Sequence, residues 1–341
     1  MDKRVIFAVA GSGKTTHLIN SLSLEKRALI ITYTENNHKH LRNSIIKRFG
    51  ILPKNITLMT YFAFLHGFCF RPHMQLQMGT RGMSFRRPAQ RSFPLTDARR
   101  YCDGSGRLYH NRLAKLIEMT GLMPAVKARI ERFYDAVYVD EVQDFAGHDF
   151  NLLLAISAAN ANMLFVGDFY QHTFDTSRDG SVNNTLHDDI TRYEKRFKDS
   201  KITVDKETLS KSWRCGMTVC DFIRAQLQID IDAHEERVTE IINVDTQELA
   251  DKLHGNHRVV KLFYEQHHKY GCYSQNWGAS KGEDHYNDIC VILGTKAWTQ
   301  YLEGTLHESV AKTKNKLYVA FSRARGSVYV ASDKLFKQYK S

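Results

Sequence analysis

A glycine-rich loop with a lysine and three hydroxyl side chains follows the first apolar stretch of the chain. It reads Ala8-Val-Ala-Gly11-Ser-Gly13-Lys14-Thr15-Thr16. Glycines let backbone N–H groups wrap a phosphate, a following helix adds its dipole, lysine reaches the outer phosphates, and threonine binds Mg²⁺. We therefore predict a phosphate site formed by Gly11, Ser12, Gly13, Lys14, Thr15 and Thr16. The alternative is a Gly-Ser turn that only caps a helix.

Two acidic residues close a second apolar stretch. Asp140 and Glu141 directly follow Ala136–Val139. An acid at the carboxyl end of a buried strand lies at the ligand edge of an open α/β sheet. There Asp140 would hold Mg²⁺ together with Thr15, and Glu141 would polarise an attacking water. The alternative is ordinary helix-start chemistry, with Asp144 as an N-cap.

Short apolar runs that alternate with helical stretches must position these residues. In the first half we predict strands at Val5–Val9, Ala28–Thr32, Ile56–Met59, Ala136–Val139 and Met163–Val166. Helices are predicted between them at His17–Ser23, His38–Phe49 and Asp149–Ala159. This alternation is typical of a parallel sheet covered on both faces.

The second half repeats the alternation without sequence similarity to the first. We predict strands at Thr203–Leu209, Arg258–Phe263, Ile289–Leu293, Lys316–Phe321 and Ser327–Val330, with a helix at Thr218–Gln228. The polar stretch Arg192–Lys201 is the predicted joint between the halves. The sequence therefore predicts an α/β protein with two parallel-sheet domains.

Composition excludes several classes of protein. The 341 residues are 43% hydrophobic and 25% charged, which is ordinary for a globular chain and argues against disorder. No run of about 18 apolar residues predicts a membrane span, and the N-terminus does not resemble a signal peptide. The six cysteines are scattered without a C-x-x-C pair, which favours free thiols in a cytoplasmic protein and argues against a zinc or iron–sulfur site.

Positive charge is concentrated in one segment that interrupts the alternation. Residues 71–134 hold 11 Arg and 2 Lys against 4 Asp and Glu, a net charge of +9 out of +11 for the chain. Aromatic residues interleave with these arginines, which suits phosphate contact by Arg86 and Arg87 plus stacking on bases. A small core with a solvated arginine surface is the alternative. Two stretches at its end, Asn111–Thr120 and Ala125–Phe133, are predicted helices.

The motifs, in this order, resemble those of the UvrD/Rep-type superfamily-one helicases. Beyond the phosphate loop and Asp140-Glu-Val-Gln-Asp144, the resembling segments are Thr32-Tyr-Thr-Glu-Asn36, Thr60-Tyr-Phe-Ala-Phe64, Gly167-Asp-Phe-Tyr-Gln-His-Thr-Phe174, Leu209-Ser-Lys-Ser-Trp-Arg214, Ser280-Lys-Gly282 and Tyr318-Val-Ala-Phe-Ser-Arg323-Ala. The resemblance implies two RecA-like P-loop domains: residues 1–70 and 135–200 form the first, 201–341 the second, and 71–134 a small basic insertion.

The resemblance also implies roles for single residues. Gln171 would sense the γ-phosphate, while Arg214 and Arg323 would approach it from the second domain as arginine fingers. Asp284 would take the place of the ribose-binding acid of the family, although Glu283 is equally near. The residues expected on single-stranded nucleic acid are Tyr33, Thr60, Tyr61 and Phe174. A strand-end charge at Arg323 and a core aromatic at Phe174 are the alternatives.

The resemblance predicts an ATP- and Mg²⁺-dependent enzyme that translocates along single-stranded DNA or unwinds DNA, with 3′ to 5′ movement. A nucleic-acid-stimulated ATPase switch or partner-loading subunit is the alternative, because the family's large second insertion is missing. The adenine-reading segment before the first strand is missing too, so ATP is the default nucleotide. RNA stays open as a substrate because stacking platforms bind both nucleic acids. A nuclease or a replication or repair factor is a candidate protein partner.

Overall fold

The structure is a computed structural model that describes residues 1–88, 93–173 and 179–341. The chain divides into two compact units. The first takes residues 1–6 and 15–167 together with the segment that ends at Asp205. The second takes residues 7–14, the segment that begins at Asp168, and residues 206–341.

The first unit is built on a six-stranded sheet with a small two-stranded pair beside it. The strands are β1 (Lys3–Phe7), β2 (Ala28–Thr32), β3 (Ile56–Thr60), β4 (Met83–Ser84), β5 (Leu108–Tyr109), β6 (Ala136–Asp140), β7 (Asn162–Gly167) and β8 (Thr203–Asp205). The main sheet has the order β3-β2-β6-β7-β1-β8, and β4 pairs with β5. Because β6 and β7 are parallel, they end at the same sheet edge.

Helices connect the strands of the first unit. They are α1 (Lys14–Asn20), α2 (Glu35–Phe49), α3 (Tyr61–Ala63), α4 (Arg71–Met78), α5 (Ala98–Tyr101), α6 (His110–Met119), α7 (Met123–Phe133), α8 (Gly147–Ile156) and α9 (Ile190–Asp199). A π-helical turn, Phe64–Phe70, joins α3 to α4. Helix α2 begins where the Thr34 hydroxyl accepts a bond from the Asn37 N–H, and it ends at Gly50, whose φ is +80°.

The sheet of the first unit is covered by apolar side chains. Leu18 of α1 and Leu41 and Ile45 of α2 pack against Ile30 of β2. Elsewhere in the unit a ring cluster joins Phe150 of α8 with Tyr193 and Phe197 of α9. Each of these side chains gains about 1.5–3 kcal/mol from burial, so the strands that carry the candidate site stand on a rigid base.

The second unit has a five-stranded parallel sheet. Its strands are β9 (Lys211–Ser212), β10 (Asp232–Ala233), β11 (Ile241–Val244), β12 (Val260–Phe263), β13 (Ser274–Asn276), β14 (Ile289–Leu293) and β15 (Val328–Ser332), and its helices are α10 (Met217–Leu227), α11 (Gln247–Gly255), α12 (Thr295–Leu302) and α13 (Ala311–Phe321). The main sheet has the order β11-β15-β14-β12-β13, and β9 pairs with β10. The predicted α/β fold with two parallel sheets is confirmed.

Three local predictions are wrong. Residues 316–321 belong to helix α13. This helix begins with a polar turn at Ala311 and continues through the apolar run. A short apolar run cannot by itself separate a buried strand from a buried helix face. The predicted strand Thr203–Leu209 is only three residues long, and as β8 it pairs with β1 of the first sheet. The predicted joint Arg192–Lys201 lies mostly in helix α9.

The basic segment 71–134 folds within the first unit. Its two predicted helices are confirmed as α6 and α7. Helix α6 buries Leu113, Leu116 and Ile117 and packs against α8 and the π-helical turn, so this part of the segment shares the core of the first unit. The domain boundaries expected from the family remain a prediction.

Candidate functional site

The phosphate loop lies between β1 and α1. Gly11 and Gly13 have φ angles of +71° and +86°, values that glycine adopts without steric cost. The Ser12 hydroxyl donates a 2.8 Å hydrogen bond to the Val9 carbonyl and closes the loop. Lys14 is only 9% exposed, and it forms an ion pair with no carboxylate among residues 1–88, 93–173 and 179–341. A nearly buried ammonium without a protein counter-charge suits an anionic ligand.

The segment before Arg214 packs directly on this loop. The Trp213 N–H donates a 2.9 Å hydrogen bond to the Gly11 carbonyl. A Cβ atom at Gly11 would lie 2.6 Å from the Cβ of Arg214, a distance that no side chain tolerates without a backbone shift. Position 11 therefore requires glycine for two reasons, its backbone angle and this close approach.

One hydroxyl group connects the loop to two other segments of the second unit. The Ala10 N–H donates a 2.8 Å hydrogen bond to the Tyr318 hydroxyl oxygen. The same hydroxyl donates a 3.0 Å hydrogen bond to the carboxylate of Asp168. All three groups are buried, and burial strengthens the pull of the carboxylate on the hydroxyl proton. The pKa of Tyr318 accordingly lies well above its ordinary value, first because of burial and then because of Asp168.

Two predicted arginine fingers converge on one carboxylate. The Arg214 guanidinium donates to the Asp284 carboxylate and, over 3.1 Å, to the Ser322 carbonyl. The Arg323 guanidinium lies 3.7 Å from the same Asp284 oxygen. Burial and the neighbouring Arg214 charge lower the pKa of Arg323 to about 10, so it stays protonated at neutral pH. The structure thus places Asp284 with the arginines, while the neighbouring Glu283 carboxylate lies 3.3 Å from the His285 ring.

A serine fixes the backbone before Arg214. The Ser212 hydroxyl accepts hydrogen bonds from the N–H groups of Arg214 and Cys215, at 3.2 and 3.1 Å. Ser212 stands where the family has asparagine, and its oxygen caps this turn. Arg214 itself is buried, with 8% of its surface exposed.

The acidic motif lies in the first unit. Asp140 is the last residue of β6 and is buried, and Glu141 follows it with a φ of +53°. A non-glycine residue in this left-handed region is strained, and such strain often marks a functional site. The Gln143 side-chain amide donates to the Glu141 carboxylate and holds it in place. Asp144 is buried inside a short 3₁₀ turn. It is therefore not a helix N-cap, which was the alternative role predicted for it.

The oxygen donors predicted for Mg²⁺ are one carboxylate, Asp140, and one hydroxyl, Thr15. Thr15 lies in the first turn of α1 and is half-buried, whereas Thr16 beside it is exposed. No cluster of three His, Cys, Asp or Glu side chains suited to a metal occurs in the described part of the chain. One or two protein oxygens fit a Mg²⁺ ion whose other ligands are phosphate oxygens and water.

Two of the tyrosines expected on nucleic acid lie in the interior. Tyr61 has no exposed surface and Tyr33 is 8% exposed. Their rings stack on each other at 5.5 Å, and both contact Phe145 edge-on. Rings packed in this way offer no free face to a base. The observed role of Tyr33 and Tyr61 is therefore packing in the core. Thr60 is the N-cap of α3, where its hydroxyl accepts from the Ala63 N–H.

The other expected contacts have different surroundings. Gln171 is buried, with 4% of its surface exposed. Arg86 and Arg87 are exposed. Phe174 lies outside the described residues, so its predicted stacking stays a prediction.

Several arginines of the basic segment have internal partners. The Asp179 carboxylate accepts from Arg100 at 2.7 Å and lies 3.3 Å from Arg112, which is 2% exposed. Arg129 lies over the rings of Phe68 and Phe133. Some arginines of the segment therefore have partners inside the protein and others face solvent, and phosphate contact by the exposed arginines stays a prediction.

Two residues near the phosphate loop escaped the sequence analysis. Trp213 is 52% exposed, its ring stacks on His234 at 3.7 Å, and its Cδ1 lies 3.8 Å from where a Cβ of Gly13 would be. Tyr318 carries the hydroxyl described above. The sequence contained a signal for both residues, because they lie inside motif segments. Trp213 is next to the predicted arginine finger Arg214, and Tyr318 is near Arg323.

No family model matches the chain, and no curated protein matches it either. Solved structures are similar in fold. The arterivirus nonstructural protein 10 helicase shares 15% identity over 98% of this chain and 62% of its own, with a TM-score of 0.51. The same kind of arterivirus protein in complex with DNA gives 14% identity, coverages of 98% and 63%, and a TM-score of 0.50. A PRRSV helicase shares 15% identity over 98% of this chain and 53% of its own, with a TM-score of 0.49.

These similarities show the fold, which solved helicases share. The chain spans less than two thirds of the length of those proteins. Within the residues that the structure describes, no helix is both long and apolar enough to cross a membrane.

Proposed function

We propose that the protein is an ATP-dependent motor that moves along single-stranded DNA, with the UvrD/Rep-type helicases as its nearest mechanistic model. The observation that carries this proposal is the phosphate loop packed on the segment of Arg214, whose guanidinium shares the Asp284 carboxylate with Arg323. Two buried guanidiniums beside a phosphate-binding loop are the groups that stabilise charge on a transferring phosphoryl group.

Each part of the site then has a role. The Lys14 ammonium and the loop N–H groups bind the phosphates, and Thr15 and Asp140 hold Mg²⁺, which neutralises phosphate charge when bound. The Glu141 carboxylate, held by Gln143, accepts a proton from the attacking water. Arg214 and Arg323 leave Asp284 for the γ-phosphate, and the buried Gln171 responds to its presence.

An exposed aromatic beside the loop suits the nucleotide base. The Trp213 ring is backed by His234, so the exposed indole can stack on a base. Stacking on an indole is tolerant of base identity because every base has a π-face. This arrangement accommodates the adenine of ATP and predicts weak selection among nucleotide bases.

The test is ATP hydrolysis with and without single-stranded DNA. We expect wild-type turnover to rise with DNA, and Lys14→Ala to lose turnover because the outer phosphates lose their ammonium. Lys54→Ala is the matched control, since this exposed lysine precedes β3 and lies outside the motif segments. Hydrolysis that no nucleic acid stimulates in the wild-type protein would disprove the motor.

A second function is favoured by one observation. Residues 215–279 supply helices and strands of the second unit, α10, β10, β11, α11, β12 and β13, and this leaves no room for the family's large second insertion. The protein would then be a nucleic-acid-stimulated ATPase that loads a partner, such as a nuclease or repair factor, without unwinding. Strand displacement on duplexes with 3′ or 5′ tails separates the two functions, and activity on 3′ tails alone supports the proposed 3′ to 5′ movement. A cytoplasmic location fits either function.

A further inference from the structure

One aromatic ring of the basic segment is held in place by the short β4–β5 pair. These strands pair in parallel, with Met83 beside Leu108 and Ser84 beside Tyr109. Phe85 and His110 come one residue later on each strand and therefore lie side by side. Their ring centroids are 5.1 Å apart and the planes differ by 26°, which is a stacked arrangement.

The back of this pair is covered by a third ring. Phe62 meets Phe85 edge-on at 5.4 Å and His110 edge-on at 5.3 Å. The His110 ring also forms a 3.2 Å hydrogen bond with the Ser84 carbonyl, and burial lowers the pKa of His110 below its ordinary value. The imidazole is therefore uncharged at neutral pH and acts as an aromatic support.

The front of the pair faces solvent. Phe85 is 62% exposed, more than any other Phe, Tyr or Trp among the described residues. A rigid, supported ring that leaves most of its surface in water has an unused face, and such a face marks a binding site. A ring that merely lacked a place in the core would not be held on two sides.

Exposed arginines flank Phe85 in the sequence. Arg86 and Arg87 follow it directly, Arg81 precedes it, and all three are exposed. The sequence from 71 to 88 contains no acidic residue. The nearby Asp103 carboxylate accepts hydrogen bonds from the N–H groups of Ser105 and Arg107, so its charge is engaged within its own loop.

We propose that Phe62, Phe85, Arg86, Arg87 and His110 form a base-stacking platform for single-stranded nucleic acid. The Phe85 ring stacks on one base, His110 and Phe62 hold it in position, and the two guanidiniums contact the flanking phosphates. Stacking without base-edge contacts makes the platform independent of sequence and of the sugar. The proposal rests on the proposed function and assigns it a contact outside the motif segments, at Phe85.

The experiment measures binding by fluorescence anisotropy of a labelled oligo-dT strand and of an abasic strand of equal length. Phe85→Ala should weaken oligo-dT binding about tenfold, within the range of one lost base stack, and leave abasic binding unchanged. Phe85→Leu should behave like Phe85→Ala, because leucine keeps apolar surface without a flat face. Phe85→Trp should restore affinity, and an oligo-rU strand should show the same dependence on the ring.

Phe133→Ala is the matched control. Phe133 is a second exposed phenylalanine of the same segment, but the guanidiniums of Arg129 and Arg132 cover its ring. Its removal should leave oligo-dT affinity unchanged. Thermal unfolding of Phe85→Ala checks that the fold is intact.

The outcomes separate this proposal from the proposed function. Wild-type protein that binds oligo-dT, with Phe85→Ala binding equally well, overturns the platform and leaves the motor standing. An equal loss on oligo-dT and abasic strands overturns stacking in favour of a change in fold. Full affinity in Phe85→Leu overturns it in favour of apolar docking. Wild-type protein that binds no strand overturns both.

Discussion

The Asp284 carboxylate holds two arginines whose proposed partner is a phosphate. Arg214 and Arg323 are 8% and 2% exposed, so each guanidinium depends on the few acceptors that surround it. The Asp284 side chain is 59% exposed, so water can solvate its carboxylate when another anion takes its place on the arginines. The triad is therefore an ion pair that a stronger anion can replace.

Asp284→Asn should lower the thermal stability of the nucleotide-free protein, because two buried guanidiniums lose their counter-charge. A non-hydrolysable ATP analogue should then raise the melting temperature more in the variant than in the wild-type protein, since the γ-phosphate supplies the missing anion. Differential scanning fluorimetry with and without the analogue measures both effects.

Glu283→Gln is the control, because the Glu283 carboxylate lies beside His285 and only its backbone carbonyl, which the substitution keeps, accepts from Arg323. Equal melting temperatures for wild type and Asp284→Asn without nucleotide would contradict the role assigned to Asp284. A loss of analogue binding in the variant would instead favour the ribose contact expected from the family.

At the scale of elements, one ion pair marks the start of two neighbouring strands. Ala28 pairs with Ala136 at the first position of β2 and β6, and the residues before them are Arg27 and Asp135. The Arg27 backbone N–H and guanidinium donate to the Asp135 carboxylate at 2.8 and 2.6 Å. These bonds lower the pKa of Asp135 to about 2, below its ordinary 3.8.

Asp135→Asn should lower the urea midpoint of unfolding at pH 7. A depressed pKa in the folded state stabilises the protein above the ordinary value, and the effect is lost as pH falls through about 2. The difference between variant and wild type should therefore shrink between about pH 4 and pH 2. Urea titrations across this pH range measure the difference. Asp188→Asn, at an exposed aspartate, is the control and should leave the urea midpoint unchanged across the range.

The elements of the first sheet were predictable because their apolar runs are short and bounded by polar or glycine residues. Strands β2, β3 and β6 begin and end within one residue of their predicted limits. Helix α13 was not predictable from periodicity, because its buried half, residues 317–321, is a continuous apolar run. Pairing of β8 with β1 is a long-range contact that no local pattern encodes.

The candidate site likewise has residues that were predictable from the sequence and contacts that were not. Glycine, lysine and acidic motifs are local, so Gly11, Lys14 and Asp140 could be read from spacing. The sharing of Asp284 by two arginines and the exposure of Phe85 depend on which segments meet in space. Tyr33 and Tyr61 show the converse, since a motif aromatic can serve the core.

For the whole molecule, the charge excess divides into a structural part and an exposed part. Arg100 and Arg112 pair with Asp179 inside the first unit. Arg81, Arg86 and Arg87 are exposed. Only the exposed group is expected to neutralise phosphates.

Replacing Arg81, Arg86 and Arg87 together by Gln should weaken single-strand binding and lower the slope of log affinity against log salt by about 2, since each phosphate contact adds about 0.7. Binding at four or five salt concentrations measures the slope. The control replaces three exposed arginines elsewhere, Arg42, Arg192 and Arg258, and removes the same formal charge. An equal change in both variants would mean that the segment contributes to binding only through the net charge of the protein.

The hydroxyl of Tyr318 has a consequence for biosynthesis. Its hydrogen bond to Ala10 spans 308 residues of chain, and its bond to Asp168 spans 150. A nascent chain contains the phosphate loop 308 residues before it contains Tyr318, so the Ala10 N–H meets its partner only after α13 leaves the ribosome. The loop is therefore completed long after it is synthesised, and a chain truncated before α13 lacks the group that joins Ala10 to Asp168.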